Sequence, residues 1–236
     1  MKLLILSTAL VVFFACACKL ETSSATRNGN TRTNANANQG AEASNTNEQE
    51  PKSNCSLTAA TIPLIEGIKL GSTPDEVLAT LPGSKDDDEV KTSIAKPATA
   101  LGVSEFIVRA NKLQPKEKYA HINHFTFSLL DGRISTINIG YNGPAYANVD
   151  EFVTNFVKGT KLPPVEQWEA YPGMETQLKT LTCKDFEIRI FSGGEGGNQN
   201  YVLLSDLTAK KTLRDRRAKA RAQASPRRSS DCEVRR

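Results

Sequence analysis

The sequence predicts an α+β domain, an antiparallel sheet with two short helices packed on one face. Three observations predict it. Residues 73–83 and 149–158 carry helix signals, each helix is followed by three segments with the two-residue alternation of strands, and Asp131-Gly132 joins two of those strands through a tight hairpin. The order, one helix then three strands, occurs twice and suggests a pseudo-duplicated unit, although the halves share no residue-level identity.

The first 18 residues read as a signal peptide. Lys2 supplies a positive charge, and Leu3 to Ala15 is a run of thirteen residues, apolar apart from Ser7 and Thr8. A helix needs about 20 residues to cross a hydrocarbon layer, so this run is too short to span and fits an export signal. Ala15-Cys16-Ala17 satisfies the small-x-small pattern of ordinary cleavage. Ala17-Cys18 also resembles a bacterial lipobox, with Ala15 in place of its customary Leu, which makes Cys18 the expected acylated N-terminus and Cys16 the alternative. Residues 19–54 are rich in Asn, Thr, Ser, Ala, Gln and Glu, with no aromatic side chain. They bury too little apolar surface to offset ordering entropy and are expected to be a disordered tether, reaching roughly 30–36 Å.

That leaves 55–208 as a single globular domain, followed by a basic tail at 209–236. The tail holds eleven Lys/Arg against three Asp/Glu, so the overall charge of +4 conceals a core of opposite sign. Leu207 to about Ala224 reads as a helix with cations almost all round and an alanine-rich apolar side. It is a poor membrane-insertion helix. Anionic lipid headgroups are the phosphate-bearing partner it would touch, and no aromatic side chains interleave its charges as nucleic-acid stacking would require. In an oxidising compartment Cys55 and Cys183 are expected to pair, with Cys232 free or intermolecular.

Within the domain, Thr73-Pro74-Asp75-Glu76 forms a capping box with Pro at the first helical position, and Pro82-Gly83 ends the helix. Strands follow at 104–110, 122–130 and 133–141. The alternation fails at Ser135-Thr136, which predicts a bulge. Val149, Phe152, Val153, Phe156 and Val157 give the second helix its apolar face. Strands then follow at 177–183, 186–192 and 200–205.

The segment Gly67-Ile-Lys-Leu-Gly-Ser-Thr-Pro-Asp-Glu-Val77 resembles the helix opening of BamE/SmpA-like small bacterial lipoproteins. The resemblance spans about 75 residues, from Ile65 to Tyr141. It implies a helix on a three-stranded antiparallel sheet and a non-enzymatic role in binding other envelope proteins, notably the outer-membrane β-barrel assembly machinery. A related arrangement, doubled, occurs in proteinaceous β-lactamase inhibitors.

Tests for chemistry return little. His121 and His124 stand three apart on a strand, which sends them to opposite faces rather than onto one metal ion. Asp86-Asp87-Asp88-Glu89 reads as a solvated acidic loop without EF-hand spacing. Gly193-Gly194-Glu195-Gly196-Gly197 lacks the features of a phosphate-binding loop and lies between strands. No catalytic residues, metal site or cofactor are expected. The leading expectation is a non-enzymatic exported lipoprotein that binds another envelope protein. The alternatives are a soluble periplasmic or secreted inhibitor-type module and, third, a carboxylate-based hydrolase. Either binder would carry an exposed aromatic patch around Tyr141, Tyr146 and Trp168.

Overall fold

A computed structural model of the chain describes residues 55–158, 160–193 and 199–224. The expected signal peptide and tether, Cys16, Cys18, Cys232 and residues 194–197 of the glycine run lie outside the described residues. No described helix is long and apolar enough to cross a membrane.

The domain is α+β, as its sequence predicts. In chain order it comprises α1 (Pro74–Thr80), α2 (Asp88–Ala95), β1 (Val103–Arg109), β2 (Ile122–Leu130), β3 (Arg133–Asn142), α3 (Val149–Val157), β4 (Glu169–Ala170), β5 (Leu178–Thr182), β6 (Phe186–Gly193), β7 (Gln199–Asp206) and α4 (Leu207–Ala224). The seven strands form one sheet in the order β1-β2-β3-β7-β6-β5-β4, antiparallel at every pairing. Two meanders, β1–β3 and β5–β7, therefore meet through their last strands, with Ile139 opposite Val202 at the join. The doubling expected from element order is thus present in the topology.

Local sequence accounts for the elements. The capping box forms as read: the Thr73 hydroxyl accepts from the Glu76 N–H at 3.3 Å, and Glu76 Oε2 accepts from the Thr73 N–H at 2.7 Å. That second bond holds the Glu76 carboxyl below the usual carboxylate range. Gly83 takes φ +94° past the helix end, and a Cβ there would lie 2.6 Å from the Lys112 carbonyl oxygen. Only glycine fits this turn. Asn148 caps α3, accepting from the Glu151 N–H at 3.0 Å; the helix ends one residue before expected, with Lys158 as its C-cap.

The bulge at Ser135 is also present. Ser128 pairs with Thr136 while Leu129 pairs with Ile134, so Ser135 is the extra residue, its hydroxyl donating to the Ser128 carbonyl at 3.1 Å. Ile134 and Ile137 stand three apart, a spacing that would split them between faces, and the bulge lets both reach the core. A second bulge at Asn123 does the same for Ile122 and Phe125.

Inward-facing strand residues, Phe106, Phe127, Ile139, Val202 and Ile188 among them, form one core with Val77 of α1, its C-cap Leu81, and Phe152 and Val153 of α3. Each such side chain contributes about 1.5–3 kcal/mol by leaving water. Cys55 and Cys183 are joined, with Cα atoms 4.8 Å apart, closing the incoming chain onto the β5–β6 turn. Asp185 in that turn accepts from the Ala59 N–H at 2.7 Å, and its carbonyl accepts from the Leu207 N–H at 2.9 Å. One turn therefore ties down both ends of the domain.

Three expectations are corrected. The acidic run 86–89 is not a loop: Asp87 caps α2, accepting from the Glu89 N–H at 2.8 Å, and Asp88 and Glu89 occupy the first helical turn. Carboxylates are stabilised there by the helix dipole, and a helix that buries Val90 alone leaves little apolar periodicity to read. The described residues therefore carry four α-helices where three were expected, two in the domain and the basic one. The basic helix is not a separate tail beyond residue 208 either. It continues directly from β7, and Arg216 donates to both Asp131 carboxylate oxygens, at 2.8 and 2.6 Å, and to the Leu101 carbonyl at 2.8 Å.

Candidate functional site

The helices α1 and α3 cover one face of the sheet. On the other face the start of α4 reaches one rim, with Lys210 Nζ 3.9 Å from Glu187, and Glu89 of α2 reaches Arg109 on the edge strand. Strand register arranges this open face in rows. One row runs Arg109, His124, Gly140, Tyr201, Phe191 and Leu178 across six strands. The next runs Ile107, Thr126, Asn138, Leu203, Arg189, Thr180 and Glu169.

The first row holds a continuous ring strip. Gly140 makes it possible: a Cβ there would fall 2.6 Å from His124 Cε1, so the imidazole occupies the space over the glycine. It thereby approaches Tyr201, with ring centroids 6.3 Å apart, and Tyr201 stands 6.4 Å from Phe191. The Tyr201 hydroxyl donates to Gln199 Oε1 at 3.0 Å. Burial against its neighbours, and secondarily the Arg109 charge, hold the His124 imidazole below its ordinary pKa. Arg109 itself is gripped by Glu89 at 3.0 Å.

In the second row Leu203 is half-buried on the side away from the core. Asn138 Oδ1 is enclosed without a hydrogen-bond donor among the described residues. Arg189 and Glu187 pair at 2.8 Å along β6. The face is thus an apolar-aromatic strip set in a field of hydroxyl, amide and internally paired charged groups, suited to contact with another folded surface.

The aromatic residues expected to form a patch lie elsewhere. Tyr141 is half-buried on the helix side, edge-on to Phe152 at 5.7 Å, and its hydroxyl pKa is pushed far up by burial. Tyr146 stacks on Phe152 at 4.8 Å and is likewise raised by burial. Trp168 belongs to the core, 4% exposed, its indole N–H donating to the Pro163 carbonyl at 3.0 Å. The three do not converge on an exposed patch: the first two seal the flank of α3, and the third closes the loop after it.

The histidines part because His121 precedes β2, not through strand alternation: its Nε2 lies 3.3 Å from Glu66 Oε1, away from the open face that carries His124. Among the described residues no group of three His, Cys, Asp or Glu side chains is placed to hold a metal ion. A shallow groove of about 630 Å³ lies beside Tyr141, Asn142, Gly143, Pro144 and Gln199, lined without a carboxylate or histidine. Sequence reasoning missed the Arg109–His124–Tyr201–Phe191 row. Its signals were Gly140 inside a strand pattern and the apolar Phe191 and Leu203 at outward parity.

No protein-family model, curated protein or solved structure matches this chain.

Proposed function

We propose that this chain is an exported, non-enzymatic envelope lipoprotein, tethered through a lipid on Cys18, that binds another envelope protein with the open face of its sheet. The observation carrying the binding part is the ring strip His124–Tyr201–Phe191 on the sheet face opposite α1 and α3. Aromatic anchors bordered by polar groups are the composition that binding surfaces favour. The address rests on the apolar run at 3–15, the Ala17-Cys18 pair and the polar segment that follows. The BamE/SmpA-like helix opening at 67–77 is consistent with an envelope partner.

A photo-crosslinking residue in place of Tyr201 or Leu203, in the full chain expressed in a bacterial envelope, tests the binding face. A discrete adduct from these positions, and none from Asn155 on the exposed side of α3, supports it. Equal labelling from all three positions, or none from the sheet, refutes it. The mass of the mature N-terminus tests the address separately: a diacylglyceryl group on Cys18 is expected, and an unmodified Met1 refutes export.

The doubled meander favours a second reading, a soluble inhibitor-type module using the same face. Cleavage without acylation, together with face-directed crosslinks to a secreted or periplasmic enzyme, would select it.

A further inference from the structure

The two edges of the sheet are unlike. At one end β4 is two residues long, too short to template another strand. At the other, β1 runs seven residues, with no proline and no bulge in its pairing with β2. Its hydrogen-bond parity follows from its first residues. The Gly102 carbonyl accepts from Asp131 on the β2 side, whereas the Val103 carbonyl accepts from the Thr99 N–H on the outer side. Backbone groups alternate in an antiparallel strand. Those of Ser104, Phe106 and Val108 therefore serve β2, and those of Glu105, Ile107 and Arg109 point outward. Among the described residues nothing accepts from or donates to these outward groups.

The outer edge is not bare surface. Alongside it lies a groove of about 500 Å³ between β1 (Glu105, Phe106, Ile107) and Thr92 and Ser93 of α2 with its C-cap Lys96. The small Thr92 and Ser93 side chains keep the groove open beside the strand. Its acidic groups are not equivalent. Glu89 is held by Arg109 at 3.0 Å and Asp88 by Lys91 at 3.3 Å. Among the described residues Glu105 receives the Ser128 hydroxyl at 3.4 Å and no cation pairs with it. Two residues on, Ile107 offers a half-buried aliphatic side chain on the same side of the strand.

From these placements we propose that the β1–α2 groove receives an extended peptide segment of a partner protein as an added antiparallel strand, with a Lys or Arg opposite Glu105 and an aliphatic residue opposite Ile107. Main-chain bonds to Glu105, Ile107 and Arg109 supply attachment, and the alternating side chains supply selection. The span from Glu105 to Arg109 is about 14 Å, which five extended residues match. This surface is separate from the open face, and the inference stands or falls without it.

The test uses the full chain and a capped peptide, Thr-Thr-Ile-Thr-Lys-Thr-Thr, whose Ile and Lys meet Ile107 and Glu105 in antiparallel register. Amide exchange is followed residue by residue. In the free protein the Glu105, Ile107 and Arg109 amides exchange freely, and peptide at millimolar concentration slows them at least tenfold. A peptide with Glu replacing its Lys binds about fivefold more weakly, and Glu105→Lys reverses that preference. Three results overturn the proposal: no protection at millimolar peptide, equal binding by a peptide N-methylated at its edge-facing amides, or protection of these amides that rises with protein concentration alone. The last would assign the edge to a second copy of this chain.

Discussion

The Cys55–Cys183 bridge is the feature whose removal should cost the domain most. It joins residues 128 apart. In the chain-entropy description a loop of that size carries about 5 kcal/mol at 25 °C, reduced by any structure the unfolded chain retains. Domains of this kind hold only about 5–15 kcal/mol in total. Both half-cystines are buried, at 9% and 2% exposure, so a single replacement would also leave a thiol in apolar surroundings; the double variant Cys55→Ala/Cys183→Ala avoids this. Urea denaturation of the oxidised protein, the oxidised protein with reductant, and the double variant measures the effect. With a slope of about 2 kcal/mol/M, the midpoint should fall by about 1.5–2.5 M in both comparisons. The local tie expected to fail with it is the Ala59 N–H to Asp185 bond, which holds the incoming segment to the β5–β6 turn. Midpoints agreeing within about 0.3 M across the three samples would refute the reasoning, because the unfolded chain would then gain no freedom when the bridge is opened.

Three further outcomes follow from single side chains. Gly83→Ala places a methyl against the Lys112 carbonyl in a left-handed turn, and should cost about 2 kcal/mol or more, read as a fall of about 1 M in the urea midpoint; an unchanged midpoint would mean the turn rearranges freely. Trp168 is the only tryptophan, so native emission should be blue-shifted and shielded from iodide, and Trp168→Ala should cost about 3–5 kcal/mol; emission matching the unfolded chain would place the indole in solvent instead. His124 is held below its ordinary pKa by burial and by Arg109, so the folded state prefers the neutral ring. The stability this confers is fully present above about pH 6.5 and is lost as pH falls through the lower folded value. Thermal midpoints between pH 8 and 5 should therefore fall more steeply in the wild type than in His124→Gln, and parallel curves would show that the imidazole titrates as if unfolded.

Much of the fold was legible because its signals are local. The Thr73–Glu76 box, the Asp131-Gly132 hairpin and the broken alternation at Ser135 each act within a few residues, and each is found where the sequence places it. The limits of the basic helix, Leu207–Ala224, were legible for the same reason. What was not legible depends on partners distant in sequence. The docking of α4 rests chiefly on Arg216, one of many cations on that helix; nothing local distinguishes it from Arg217, which is exposed, because the selection is made by Asp131 and the Leu101 carbonyl. Trp168 was expected on an exposed patch, yet its indole N–H finds the Pro163 carbonyl just ahead of the 3₁₀ turn at Val165–Gln167 and the ring enters the core.

The open face shows most clearly why a site escapes a reading built on periodicity. Alternation sorts each strand into inward and outward positions, and by that rule His124, Tyr201 and Phe191 are simply outward residues on three separate strands. Their assembly depends on two registers that no local pattern sets: Gly140 opposite His124 across β2–β3, and Gly140 opposite Tyr201 across β3–β7. Gly140 is the hinge of both. With any side chain there, the imidazole would be displaced from over β3 and the strip would break into His124 on one meander and the Tyr201–Phe191 pair on the other. A strand glycine normally costs backbone entropy and a packing contact. Here, inside a seven-stranded sheet, that cost falls where the two halves of the domain combine their rings into one surface, which ties the doubled topology to the proposed binding face.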